Sequence, residues 1–124
     1  PIVQYGVTKL ANILFTRELA RRVGADGITA HCFHPGAVNT GFAQDEPGLF
    51  HALMRVGKGL LRSPERGGAT GVYLATSDDA AVTAHNGRYF VDERPRRPSR
   101  RARDRALAAR LWEQSARLTG AGSG

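Results

Sequence analysis

The 124-residue sequence predicts an α/β fold, and only part of one: about two strands and four helices from the C-terminal part of a doubly wound parallel sheet. Three observations carry this expectation. A long helical pattern runs through a glycine-bounded turn into an uncharged stretch of strand length, a second short strand pattern lies near residue 90, and helical patterns fill the chain between and after them. A helix feeding a buried strand is the second half of a β-α-β unit, whose first strand would lie before Pro1. Two short parallel strands offer apolar faces and backbone groups that need neighbours, so more sheet is expected than the sequence holds.

From about Tyr5 to Val23, Val7, Leu10, Ala11, Leu14, Phe15 and Leu19 recur at helical spacing against Arg17, Glu18, Arg21 and Arg22, and Gly24 ends the pattern. After the turn at 24–27, Ile28 to His34 carries no acidic or basic residue beyond its histidines, which fits a strand buried on both faces, and Pro35-Gly36 ends it. Residues 41–47 are loop-like, and Leu49, Leu53, Val56 and Leu60 mark a helix over 48–61. Pro64 and Gly67-Gly68 bracket a break before a short helix, Ala69 to Thr76, which ends in the acidic turn Ser77-Asp78-Asp79. Gly87 to Val91 has strand length, the Arg- and Pro-rich stretch to Ser99 reads as an exposed connection, and a last helix from about Ala102 to Leu118 sets Leu107, Leu111 and Leu118 on one face with Trp112 beside it. The expected domain is 1–119, followed by a disordered tail over 120–124.

The net charge of +7 is local. Eight arginines stand between Arg94 and Arg110 against Asp104 alone, and the remaining basic and acidic residues balance. That cluster lacks the interleaved aromatic residues of a nucleic-acid surface, so no nucleic-acid partner is expected; a solvated face is the plainer meaning, and a basic anchor for anionic surfaces is the sharper one. No apolar run has the length of a transmembrane segment, no signal-peptide pattern stands at the start, and the expected compartment is cytoplasmic. Cys32 has no partner for a disulfide, and His31, His34, His51 and His85 share no ligand geometry, so no metal site is expected.

Chemistry concentrates at two places. Tyr5 and Lys9 stand one helical turn apart. An ammonium group beside a phenol favours the phenolate, by roughly 3 kcal/mol at ~5 Å and an effective dielectric of ~20, or about two pKa units. That moves a tyrosine toward useful proton transfer. The second place is His34-Pro35-Gly36-Ala37-Val38-Asn39-Thr40, at the C-terminal edge of the expected strand, where open α/β sheets bind ligands.

Tyr5-Gly-Val-Thr-Lys9, continuing as Leu10-Ala-Asn-Ile-Leu-Phe-Thr-Arg-Glu-Leu-Ala-Arg-Arg22, resembles the catalytic helix of the short-chain dehydrogenases/reductases, and Pro35 to Thr40 resembles their motif after the sixth strand. The helix, Gly87-Arg-Tyr-Phe-Val-Asp92 and the Leu111-Trp112 helix are most similar to the retinol dehydrogenase-like branch. The resemblance implies a Rossmann-type sheet and a cofactor, NAD or NADP. It casts Tyr5 as the proton donor to a carbonyl oxygen, and Lys9 as the group that lowers the tyrosine pKa and bonds the nicotinamide ribose. Pro35 and Gly36 would lie against the nicotinamide, the Val38 backbone would hold its carboxamide, and the Thr40 hydroxyl would lie near the carboxamide or phosphates.

The same resemblance puts the pyrophosphate-binding glycines, the residue selecting NAD or NADP, the catalytic serine and the supporting asparagine before Pro1, so this segment alone is expected to be inactive. Gly67-Gly68 with Gly71 is read as a structural turn, not a phosphate cradle. In the family's variable substrate loop, Phe42, Leu49, Phe50, Leu53 and Met54 are candidates to line a pocket for a lipophilic alcohol, aldehyde or ketone; docking their helix on the body is the alternative role. A noncatalytic remnant or interaction module, pairing through the first helix as a homo-oligomer, is the competing functional class.

Overall fold

The computed structural model describes residues 2–35 and 64–121. The first helix, α1, spans Ile2–Val23, three residues longer at its start than the periodicity marks. A single 3-10 turn, Gly24–Asp26, follows, and Gly27 reverses the chain with φ 76°, a conformation in which glycine carries no Cβ penalty. Strand β1 is Cys32–His34, α2 is Pro64–Thr76, α3 is the one-turn helix Ala80–Thr83, and β2 is Tyr89–Val91. Strand β3, Arg94–Arg96, a 3-10 turn at Arg101–Arg103 and α4, Arg105–Thr119, complete the described chain.

The sheet has the order β1-β2-β3, with β1 parallel to β2 and β3 antiparallel to β2. Its helices cover both faces, as the alternation of strand side chains requires. Cys32 faces α1, where the Thr16 hydroxyl lies beside its thiol. The next residue, Phe33, faces the other way and lays its ring on α2 at Gly71, so closely that an added Cβ there would stand 2.9 Å from Cζ. Phe90 is paired with Phe33 across the sheet; it is fully buried, with His31 edge-on at 5.4 Å and Tyr73 of α2 at 6.3 Å. This is a partial, doubly wound α/β sheet, as the sequence predicts.

Helix α1 is the packing hub. On its sheet side Ala20 meets Gly87 so closely that a Cβ at Gly87 would stand 3.2 Å from the Ala20 methyl, and Gly87 also holds φ 69°. On its outer side Phe15 stacks on Trp112 of α4 at 5.2 Å, and the Arg22 guanidinium lies 4.9 Å over the same indole, an arrangement that covers a large apolar surface with a cation drawn to the ring face. Asp104 caps α4 by accepting from the Leu107 amide at 3.0 Å, and Gly120 in the left-handed region ends it.

Several expectations need correction. The strand read over Ile28–His34 is regular only at its last three residues, and Phe33 and His34 are exposed instead of buried, because no described residue pairs the second edge of β1. Gly67-Gly68 is not a break, since α2 begins at Pro64 and runs through both glycines. Proline suits that first helical position, where its missing N–H has no partner to lose. The connection to Ser99 contains a third strand: Asp92 and Glu93, at φ 53° and 58°, form a two-residue hairpin turn that folds Arg94–Arg96 back onto β2. Leu118 is 86% exposed, so the apolar face of α4 ends before its last turn. The helix expected over 48–61 and residues 122–124 of the expected tail lie outside the described residues.

Candidate active site

The connection from α1 through a tight turn makes α1 antiparallel to β1, which brings the start of the helix to the level of the C-terminal end of the strand. The spans agree: eighteen residues of helix beyond Tyr5 cover roughly 27 Å, and the run from Ile28 to His34 covers roughly 20 Å. The first turns of α1 therefore reach the edge where His34 and Pro35 leave the sheet. Gln4 and Gly6 to Lys9 are exposed there, and burial begins only at Leu10. Because β1 and β2 are parallel, Val91 ends at this same edge. Beside it an open cleft of about 360 Å³ runs between Arg66, Ala69 and Thr70 of α2 and the Asp92–Glu93 turn, which is docked by the Glu93 amide donating to the Thr70 hydroxyl at 3.2 Å.

Of the candidate residues, Tyr5 and Lys9 occupy positions one turn apart on α1, and Pro35 is half-buried at the end of β1. Gly36, Val38 and Thr40, and the pocket candidates Phe42, Leu49, Phe50, Leu53 and Met54, lie outside the described residues. Among the described residues no group of histidine, cysteine or carboxylate side chains is placed to hold a metal ion.

At the opposite, N-terminal edge of the strands, the frame that holds these elements in register includes residues that carry no motif. Asn86 uses its whole amide: Oδ1 accepts from the amides of Ala30 at 2.8 Å and Gly87 at 2.9 Å, and Nδ2 donates to the carbonyls of Ile28 at 2.9 Å and Ala20 at 3.3 Å. One side chain thus ties the end of α1, the lead into β1 and the start of β2. His31 does similar work one step along: Nδ1 accepts from the Arg88 amide at 3.2 Å, which leaves Nε2 as the protonated nitrogen facing the Val82 carbonyl at 3.1 Å. This agrees with a structural role for that histidine. Neither contact has a local sequence signal, since each joins residues more than fifty positions apart.

At the far end of α1, the Glu18 side chain is 3% exposed, capped by Arg21 at 2.6 Å and Arg22 at 2.7 Å. The hydrogen bond from Arg21, reinforced by Arg22 and by both charges, holds the Glu18 carboxyl down at about 2 against the opposing effect of burial. Burial pushes the Cys32 thiol up, with partial relief from the Thr16 hydroxyl and the Arg17 charge, so Cys32 is a protonated, half-buried packing group.

No family model matches the chain. Individual relatives do. The chain is 42% identical over 122 residues to human dehydrogenase/reductase SDR family member 13, covering 97% of this chain and 32% of that protein. It is 38% identical to mouse retinol dehydrogenase 12 and 39% identical to mouse retinol dehydrogenase 14, in each case over 94% of this chain and about a third of the relative, 36% and 35%. The chain spans about a third of the length of the curated relatives it matches. Such identity along nearly the whole chain, on a half-sheet wound on both faces, places it: as far as it runs, the chain belongs to the short-chain dehydrogenase/reductase family, in its retinol dehydrogenase-like branch.

Proposed function

We propose that the protein containing this segment is an NAD- or NADP-dependent oxidoreductase that interconverts a carbonyl and an alcohol on a lipophilic small molecule, and that residues 1–119 form the C-terminal half of its Rossmann-type domain. The observation that supports this most is the order of parts: a helix opening on Tyr5 and Lys9, antiparallel to a strand that ends at Pro35, in a chain 34–42% identical to named dehydrogenases. A bound nicotinamide cofactor would provide the hydride chemistry that converts carbonyl to alcohol or the reverse.

The chain's own residues do the remainder. The Tyr5 phenol gives its proton to the carbonyl oxygen in reduction and takes it back in oxidation. The Lys9 ammonium favours the phenolate and offers its other hydrogens to the ribose hydroxyls. Pro35 and Gly36 would lie against a nicotinamide ring, the Val38 backbone would hold its carboxamide, and Thr40 would offer a hydroxyl to the carboxamide or phosphates. Phe42, Leu49, Phe50, Leu53 and Met54 are the side chains that would exclude water from an apolar substrate.

Titration of the full-length protein with NADH and NADPH, followed by Tyr5→Phe, tests this reading. Activity should fall by about 10²- to 10⁴-fold with cofactor affinity nearly unchanged. Absence of cofactor binding would sink the enzyme reading, and surviving activity would remove Tyr5 from its role. A second reading, an interaction module pairing through α1, draws support from the exposed Val7 on that helix. It requires a dimer that Val7→Glu dissolves in a protein that binds neither nucleotide.

A further inference from the structure

A second cleft, of about 280 Å³, lies at the opposite edge of the sheet, where β2 begins. Its walls come from three separate elements: Arg17 and Arg21 from the later turns of α1, Arg103 from the 3-10 turn, and Arg105 from the first turn of α4, with buried Gly87 among the lining residues. Arg17 stands roughly 18 Å along α1 from Tyr5, so this cleft is separate from the candidate active site.

Two carboxylates also line it, and both are engaged. Glu18 is held by Arg21 and Arg22, and Asp104 turns Oδ1 onto the Leu107 amide. Arg17, Arg103 and Arg105 enter no salt bridge among the described residues. Arg103 adds a sharper observation: its Nε is buried and has no hydrogen-bond partner, the one side-chain nitrogen or oxygen in that condition among the described residues. Burying a guanidinium N–H without an acceptor is costly, and an anion drawn to the same side chain offsets part of that cost.

We infer that this arginine-lined cleft at the N-terminal edge of the sheet binds a phosphate-class anion. Arginines from three elements lining one cleft suit a tetrahedral anion with several acceptor oxygens better than a carboxylate, which one bidentate arginine satisfies. The fifteen-residue α4 starts in the same cleft, and its N-terminal dipole adds positive potential. The arginine run that is locally so basic in the sequence thereby gains a specific role at two of its members, Arg103 and Arg105. The inference stands independently of the oxidoreductase reading.

Isothermal titration of the full-length protein with inorganic phosphate, in low-chloride buffer, tests it. Binding should weaken about tenfold in each of Arg17→Gln, Arg103→Gln and Arg105→Gln. Arg105 is exposed, so its variant remains informative if Arg103→Gln does not fold. Phosphate bound equally by the parent and all the folded variants, or not bound at millimolar concentration, overturns the inference, as does acetate binding as tightly as phosphate. Sedimentation with phosphatidylcholine vesicles, with and without phosphatidylinositol 4-phosphate, identifies the source. Pelleting that free phosphate competes away and Arg105→Gln weakens assigns the cleft to a lipid headgroup, and phosphate binding without pelleting assigns it to a soluble phosphate ester.

Discussion

Asn86 and Glu18 hold the two ends of one structural problem, how a helix that packs on both a sheet and another helix is kept in register. Asn86 fixes the end of α1 against the strands through four hydrogen bonds from a single amide. Glu18 draws two arginines of the same helix inward, and the one at Arg22 also covers Trp112. The carboxyl of Glu18 sits at about 2 in the folded protein, below its ordinary value of 4.5. A depressed acid stabilises the fold fully above the unfolded value and loses that contribution as pH falls from about 4.5 through 2. The shift corresponds to at most about 3 kcal/mol, and to less in salt, because Arg21 and Arg22 are themselves partly in water. Urea denaturation should therefore show Glu18→Gln less stable than the parent at pH 7, with the gap narrowing below pH 4.5 and nearly closed at pH 2. A gap that persists at pH 2 would mean that packing, not charge, carries the effect.

At the scale of elements, β1 and α2 meet through an unusual partner choice, an aromatic ring on a helical glycine. Replacing a glycine inside a helix with alanine normally stabilises by about 1 kcal/mol. At Gly71 the new methyl would crowd the Phe33 ring at 2.9 Å, and that strain offsets the gain. Gly71→Ala should accordingly be neutral or destabilising in the parent, and stabilising by about 1 kcal/mol in a Phe33→Ala background. Thermal melts of the four proteins read the difference; equal effects in both backgrounds would show that the ring does not rest there.

This contact also explains what the sequence made legible and what it hid. Helices α1 and α4 announce themselves by apolar spacing, and Tyr5, Lys9 and Pro35 by a family motif. The glycines at 67 and 68 suggest a break because glycine disfavours helix in isolation, yet α2 passes through them, and Gly67 is buried. Strand β3 was hidden for the opposite reason. Arg94-Pro95-Arg96 has no apolar alternation, and its existence depends on backbone pairing with β2 after a turn of two residues with positive φ, at positions where asparagine and glycine are the usual signal. Asn86 and His31 act across more than fifty residues, a distance at which local pattern carries no information.

For the molecule as a whole, the described core is small. Its buried apolar residues are Leu14, Ala20, Val82, Phe90, Ala102 and Ala108, of which half are alanine, and Phe90 is the fully buried large side chain. Meanwhile Phe15, Ile28, Phe33 and Val72 are exposed. Among the described residues that balance is poor for a cooperative unit. Residues 1–124 expressed alone should melt broadly and bind a hydrophobic dye, whereas the full-length protein should show a sharp transition; a sharp melt of the short form would show that the described core suffices. No helix among the described residues is long and apolar enough to cross a membrane.

The hairpin at Asp92–Glu93 gives this partial sheet a direction. Arg94–Arg96 closes its border with two exposed cations flanking a proline that has no amide to offer, so recruitment of another strand on that flank is blocked both electrically and by the loss of a donor. Growth is one-ended: whatever completes the layer, whether from the same polypeptide or by exchange between copies, must zip on alongside Cys32–His34.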